Sequence, residues 1–354
     1  MHYFIHLRCI IFPALFIPLI ALSGCGQADH KPEEKSITED NFPKALPIST
    51  LKNTSFIPSL NNDAPSADNV IYASAFLFAW DELRQVLGSP FTLSKADKML
   101  LDLNLDTTFK SSLDKGEYET EVRSTGTSLK ITASFKKSLP FTTEMDTVSE
   151  GRPFAFYGYP VRSFGMPYYD EKIAKQISIL YYRNDDHFII KITPGDPDQE
   201  IILAKGLTND RNMKGMLKEL EKLIAIGAAE QKSRAKSENY QLNLEDQIVI
   251  PVIRFNLEKN YSNFIGTVLH LPAGRDSITA AMQRTAFVLN EHGAKVEAVA
   301  SVETEAAPAV IGNEQEKHKL LWFDKPFVVI LRKTGISQPY LMMKIENTEL
   351  MVKR

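Results

Sequence analysis

The chain has 354 residues, 44% of them hydrophobic, and 41 basic against 44 acidic side chains give a formal net charge of −3. That mild acidity gives no electrostatic ground for nucleic-acid binding, which rests on neutralising phosphates. Two cysteines, Cys9 and Cys25, are too few to suggest a disulfide framework.

At the N-terminus Arg8 is the only Lys, Arg, Asp or Glu before Cys25, and an apolar stretch follows it from Cys9 to Leu22. A spanning helix needs about 20 apolar residues, so this stretch reads as a secretory signal instead. Leu22-Ser23-Gly24-Cys25 resembles the lipobox of bacterial lipoproteins. The resemblance implies removal of residues 1–24 and lipidation of Cys25, whose thiol carries the diacylglyceryl group. Cys9 would leave with the signal, so the mature chain keeps no disulfide and no free thiol, and its net charge becomes −4 as the basic count falls from 41 to 40. Acyl chains on Cys25 make the lipid bilayer an expected partner. Gly26 stands where an aspartate would direct inner-membrane retention, which implies the outer membrane; the membrane face stays open.

Residues 25–67 are rich in Pro, Asn, Ser and charge and read as a lipidated flexible tether, with a short docked piece at Phe56-Ile57. Residues 68–354 suffice for one large domain. Ser74 is expected to open an apolar helix through Leu87, and Ser94, with Asp97 three residues on, to cap a second through Leu101. Leu129–Lys136 alternates as a strand, and Gln176–Tyr182 with His187–Ile192 forms a strand pair. Asn209 is expected to cap an amphipathic helix bearing Met213, Met216, Leu217, Leu220 and Leu223. Asp246–Leu257 reads as one long strand containing Pro251, Tyr261–Leu271 as a short helix, and Thr285–Asn290 as a strand. Pro326–Arg332 and Tyr340–Ile345, joined through Lys333-Thr334-Gly335, close the chain as a hairpin. Helices early and strands late indicate an α+β fold on antiparallel sheets.

Catalytic patterns are thin. The histidines at 2, 6, 30, 187, 270, 292 and 318 have no partner at ligand spacing, and there is no His-Glu-x-x-His, Gly-x-Ser-x-Gly elbow or phosphate-cradling glycine loop. No cofactor, metal site or catalytic residue is predicted, and the expectation is a non-enzyme. Tyr157-Gly158-Tyr159-Pro160 and Tyr168-Tyr169-Asp170 fit either a pocket lining or packed turns. Asp185-Asp186 beside His187 fits a hairpin turn better than a metal site.

The C-terminal third is more distinctive. Phe323-Asp324-Lys325-Pro326-Phe327-Val328-Val329-Ile330, with the Tyr340–Asn347 strand, resembles the closing hairpin of serpins. Thr285-Ala286-Phe287-Val288-Leu289-Asn290-Glu291-His292-Gly293 resembles the strand and hinge that introduce a serpin's reactive loop. Ile250-Pro251-Val252-Ile253-Arg254-Phe255 with Tyr261, Phe135-Lys136 through Pro140-Phe141, and Asn69-Val70-Ile71-Tyr72 resemble other family segments more thinly. Departures include Gln283 in place of the usual histidine, Lys295 in place of an acid, and a Leu87–Leu129 stretch short enough to imply lost helices.

The resemblance implies a serpin-like α+β fold with helices packed mainly from the N-terminal part and a reactive loop over about 292–318. In such proteins a protease cleaves the loop, which then inserts as a new middle strand of the large sheet. The residues suit that demand. Ala294, Val296, Ala298, Ala300, Val302, Thr304 and Ala306 share one parity, and Lys295, Glu297, Val299, Ser301, Glu303 and Glu305 the other. The expected hinge is Glu291, Gly293, Ala294, Val296 and Ala298. Candidate scissile positions are Ala306, Ala307, Ala309 and Val310; the Ala307–Pro308 bond suits most serine proteases poorly, because proline lacks the backbone N–H. Alanine before the cut suits a shallow, elastase-like pocket, and no Arg or Lys occurs from 296 to 316. The expected function is a membrane-anchored, monomeric inhibitor of an elastase-like serine protease. Alternatives are a non-inhibitory serpin-like scaffold or an unrelated α+β envelope lipoprotein.

Overall fold

The computed structural model describes residues 42–65, 68–88, 90–94, 97–135, 137–148, 154–208, 212–233, 237–272, 274–296 and 318–354. In chain order, β1 (Leu46–Pro47), β2 (Thr54–Ile57) and β3 (Asn69–Ala73) lead into α1 (Ala75–Leu87), followed by β4 (Thr92–Leu93) and α2 (Lys98–Leu105). Next come β5 (Tyr118–Thr125), β6 (Ser128–Phe135), β7 (Lys137–Pro140), β8 (Asp146–Thr147), β9 (Ala155–Phe156), β10 (Tyr159–Pro160) and β11 (Ser163–Met166). The middle carries α3 (Glu171–Lys175), β12 (Ile177–Asn184), β13 (His187–Ile192), β14 (Gln199–Lys205) and α4 (Met213–Gln231). The last part holds β15 (Gln247–Pro251), β16 (Ile253–Asn260), β17 (Val268–Leu271), β18 (Gly274–Asn290), β19 (Gly293–Val296), β20 (Leu320–Trp322), β21 (Phe327–Lys333) and β22 (Leu341–Ile345).

These strands build three main sheets. A seven-stranded sheet runs β12-β13-β14-β21-β22-β3-β2, with only the β2–β3 edge parallel. Every residue of β14, β3 and β22 is buried, so the sheet is covered on both faces and its strands read as unbroken apolar runs. A nine-stranded sheet is organised around β18, and a four-stranded sheet runs β20-β15-β11-β8. Helix α1 packs on β5 and β6 and buries Phe76, Leu77, Phe78, Trp80 and Leu83. Each such side chain stabilises by roughly 1.5–3 kcal/mol. Gly88, left-handed at φ 61°, stops the helix, and the Trp80 indole N–H donates to Asn104 Oδ1 at 3.0 Å to tie α1 to α2.

Several boundaries differ from the sequence reading. Beyond the docked piece expected at Phe56-Ile57, more of the stretch read as tether joins the folded body: Ile48 and Leu60 are buried, and β2 extends the seven-stranded sheet. Asp97, not Ser94, caps α2, accepting from Leu100 N at 2.8 Å, and Asn212 rather than Asn209 caps α4 through Gly215 N. The long strand expected over Asp246–Leu257 splits at Val252, and its halves enter different sheets. Tyr261–Leu271 is a 3-10 turn at Ser262–Phe264 followed by β17, because Gly266 at φ 84° turns the chain. The stretch after Leu87 holds α2 and β5 despite its shortness.

Candidate functional site

Strand β18 ends at Asn290, Glu291-His292 turns the chain, and β19 returns antiparallel along β18, with Leu289 opposite Ala294 and Phe287 opposite Val296. On its other side β19 pairs β7, with Ala294 opposite Leu139 and Val296 opposite Lys137. Towards its beginning β18 pairs β6 directly and in parallel, Gln283 facing Ala133. The sheet therefore forks: β18 has β6 beside it along one half and β19 beside it along the other, with β19 wedged between β18 and β7.

The turn is held sterically. Gly293 has φ 138°, and a Cβ there would lie 2.4 Å from the Leu139 carbonyl oxygen. Phe141 N donates to His292 O and Met145 N to Glu291 O, each at 2.9 Å. His292 Nδ1 stands 2.6 Å from a Glu144 carboxylate oxygen, and its Nε2 3.6 Å from Glu291. Ala294 and Val296 are buried while Lys295 is half-exposed. Ala294, expected to become buried on insertion, is already buried.

Polar groups crowd the crotch of the fork. Gln283 is fully buried, its Oε1 accepting from the Tyr261 hydroxyl at 2.8 Å. Thr132, which faces Met282, has a buried hydroxyl with no partner among the described residues. This parallel ladder also carries a register shift between Ile278 and Ala280, and parallel pairing is slightly less stable per residue than antiparallel.

After residue 317, β20 is an edge strand tied down by charge. Lys319 Nζ lies 2.9 Å from Asp246 Oδ2, both side chains buried, and Lys319 N donates to Asp246 Oδ1 at 2.7 Å. Asp185 Oδ1 accepts from Leu320 N at 3.1 Å and from the Tyr182 hydroxyl at 2.8 Å. Burial, and then this bond to a carboxylate, pushes the Tyr182 hydroxyl above its ordinary range. Lys205, only 4% exposed, donates Nζ to Trp322 O at 2.8 Å and Asp324 Oδ1 at 2.6 Å, and pairs with Asp186 at 3.0 Å. Lys325 and then Lys205 hold the Asp186 carboxyl below its usual value. These groups occupy polar atoms of an otherwise open strand edge. Sequence reading missed them because their partners lie far apart along the chain. It placed Asp185-Asp186 in a turn between strands, where they are.

Ala298, Ala306, Ala307, Ala309 and Val310 lie outside the described residues, as does Cys25. Tyr157 sits at φ 49° in the β9–β10 turn; it and Tyr159 are exposed, as is Tyr168, so none of the three lines an enclosed pocket. Among the described residues no group of three or more His, Cys, Asp or Glu could hold a metal ion, and no helix is long and apolar enough to cross a membrane.

No family model matches the sequence, and no curated protein matches it. Solved structures to which it is similar are serpins. One, from the trematode Schistosoma haematobium, is 14% identical at a TM-score of 0.35, covering 62% of this chain and 56% of that one. The Manduca sexta serine protease inhibitor serpin-12 gives 10%, 0.36, 64% and 57%, and the thermophilic serpin tengpin in its native state 12%, 0.32, 62% and 55%. The chain thus spans a little over half the length of the solved structures it matches. Superpositions this distant assign no residue a role; the reading of the site rests on the forked sheet and the C-terminal motifs. The fold is α+β, with mostly antiparallel sheets.

Proposed function

We propose that this chain is a lipid-anchored, serpin-like protease inhibitor, whose loop is cut by an elastase-like serine protease and then inserted into the fork beside β18. The register of the fork carries the reading. Continuing the β19 ladder beyond Val296 would set Ala298 between Thr285 and Phe135, Ala300 between Gln283 and Ala133, and Val302 between Ala281 and Ile131. The β18 and β6 ladders give the same partner for each inserted residue, so the strand can advance without a register slip. Those flanking residues are all buried, and the arriving side chains are small or apolar. Each step replaces one parallel ladder with two antiparallel ones, and each added hydrogen bond contributes about 0.5–1.5 kcal/mol net.

Incubation with elastase tests this. The expected result is an SDS-stable complex, with mass spectrometry of the released C-terminal peptide placing the cut between Ala306 and Val310. Cleaved chain that escapes the complex should melt well above the intact protein. Stoichiometric inhibition of a trypsin-like enzyme, or elastase cleavage confined to residues before Phe42, would refute the bait assignment. Anchoring is tested separately: Cys25→Ala should abolish incorporation of radiolabelled fatty acid, and equal labelling of the mutant would sink it.

A further inference from the structure

The nine-stranded sheet ends on β5, which among the described residues pairs with β6 alone. This edge strand keeps an unbroken register from Tyr118 to Thr125, and neither proline nor bulge blunts it. The direction of its backbone groups follows from its neighbour. Thr279 on β18 donates its hydroxyl to the Leu129 carbonyl at 3.1 Å, so the backbone of Leu129 faces β18. Ser124, directly opposite Leu129, therefore makes no ladder bond to β6. Alternation along the strand then turns the N–H and C=O groups of Tyr118, Thr120, Val122 and Ser124 outward, along an open edge.

The side chains of this edge read alike in both directions from Val122. Thr120 and Ser124 carry hydroxyls, and Glu121 and Arg123 carry opposite charges. In an antiparallel pairing of two copies about Val122, Thr120 meets the partner's Ser124 and Glu121 meets the partner's Arg123. Centring the pair on Glu121 or on Arg123 instead would set like charges face to face, so charge selects one register. Charged side chains guard many strand edges, but these are of both signs and are placed to pair.

A second observation points the same way. Arg123 lies directly opposite Lys130 within the chain, and like charges so placed repel. Glu121, on the same face, accepts from Arg123 Nε at 2.6 Å, yet the two side chains remain 43% and 68% exposed. The partner's Glu121 would bring a second carboxylate to the Arg123–Lys130 pair. Helix α1 covers the other face, where Thr120 Oγ1 bonds Glu82, and lies over β5 and β6 alike. Two such helices would stand about 10 Å apart across the joint, an ordinary helix–helix distance.

We infer that β5 joins a second copy of this chain, edge to edge about a two-fold axis at Val122, making one continuous sheet from two molecules. Such a joint is isologous and closes, so assembly stops at the dimer. The inference departs from the monomer expected from sequence, and it stands independently of protease inhibition. A single strand edge is a small interface, so the dissociation constant should be on the order of 10–100 µM.

Sedimentation equilibrium of the mature chain carrying Cys25→Ser, which has neither thiol nor lipid, tests it. A reversible monomer–dimer equilibrium is expected. Glu121→Arg alone, or Arg123→Glu alone, sets like charges across the joint and should weaken dimerisation about tenfold. Both side chains are exposed, so neither change should disturb the fold. Mixing the two single variants puts opposite charges back at both places and should restore dimers containing one chain of each. A native chain still monomeric at about 1 mM overturns the proposal. So does a dimer that either single variant leaves at native strength, or a mixture of the two variants that stays monomeric.

Discussion

The two ends of the 297–317 stretch are held by different kinds of force. On its leading side, Gly293–Val296 sits between two strands through apolar contact and the fit of a glycine against the Leu139 carbonyl. On its trailing side, Lys319–Trp322 is held by Asp246, Asp185 and Lys205, each reaching one particular atom. Apolar strand contacts repeat every second residue, so a ladder held that way can lengthen. Ion pairs with fixed partners do not repeat, so a strand held that way stays in place. In our reading the leading end is built to propagate and the trailing end to resist, and cutting the chain between them lets the first move without the second.

The sharpest way to break the comparison is to put a charge on the leading side. Ala294 is buried with Leu289 on one side and Leu139 on the other, and an unpaired arginine there costs several kcal/mol. Ala294→Arg should expel the hinge and yield a protein that elastase cleaves without forming SDS-stable complex. An unaltered yield of complex would rule out insertion through this fork.

Next in size is removal of a charge from the trailing side. Asp246→Ala leaves Lys319, 6% exposed, without its carboxylate, and should cost about 3–5 kcal/mol, read as a fall in the urea midpoint. Replacing both residues by leucine should recover most of that loss, because no uncompensated charge remains. Equal destabilisation in the single and double variants would show that Asp246 matters through its bonds to the Lys319 and Asn243 amides instead.

A smaller effect tests whether the leading side is steric. Gly293→Ala brings a Cβ against backbone atoms of Leu139 and Pro140 at a φ that side chains rarely adopt. The expected cost is about 1–3 kcal/mol in thermal or urea unfolding, with Gly335→Ala, where a Cβ meets nothing within 4 Å, as the control for φ alone. Matching losses in the two variants would mean that the close approach to Leu139 contributes nothing.

The same contrast explains which parts of the molecule were legible in its sequence. The closing hairpin and α1 could be read because their signals are local: two apolar runs about a turn, or an apolar run with a glycine stop. The break at Val252 could not, since Ile250, Val252, Ile253 and Phe255 are all buried and the apolar run passes from one sheet to another without a change of pattern. Tyr261 and Phe264 are three apart and both buried, a helix-like spacing that a single 3-10 turn also satisfies. Capping misled for a related reason, because Ser94 and Asp97 are both competent caps and only the folded chain decides which N–H groups lie within reach. The charged clamp on β20 left no trace, because Asp246 meets Lys319, and Lys205 meets Trp322 and Asp324, only in the folded chain, across long separations in sequence.

The smallest expected effect concerns Asp186, at the exposed rim of that clamp. Lys325 Nζ lies 2.9 Å from both of its carboxylate oxygens, and Lys205 lies 3.0 Å from one of them. These cations favour the charged form, so the folded-state pKa falls below the ordinary carboxylate value of 3.8. A depressed carboxylate contributes stability that is fully present above the unfolded pKa and is lost as pH falls through the folded one. The contribution should therefore be constant at neutral pH and fade below about pH 4. Because the side chain is 60% exposed, solvent and salt screen most of the attraction. Asp186→Asn should lower the melting temperature slightly at pH 7 and low salt, and the gap from the native chain should close in acid and in high salt. The buried Asp246 pair, being shielded from counterions, should keep its effect in salt. A gap for Asp186→Asn that persists unchanged at pH 2.5 would mean that its role is the shape of the β12–β13 turn and not its charge.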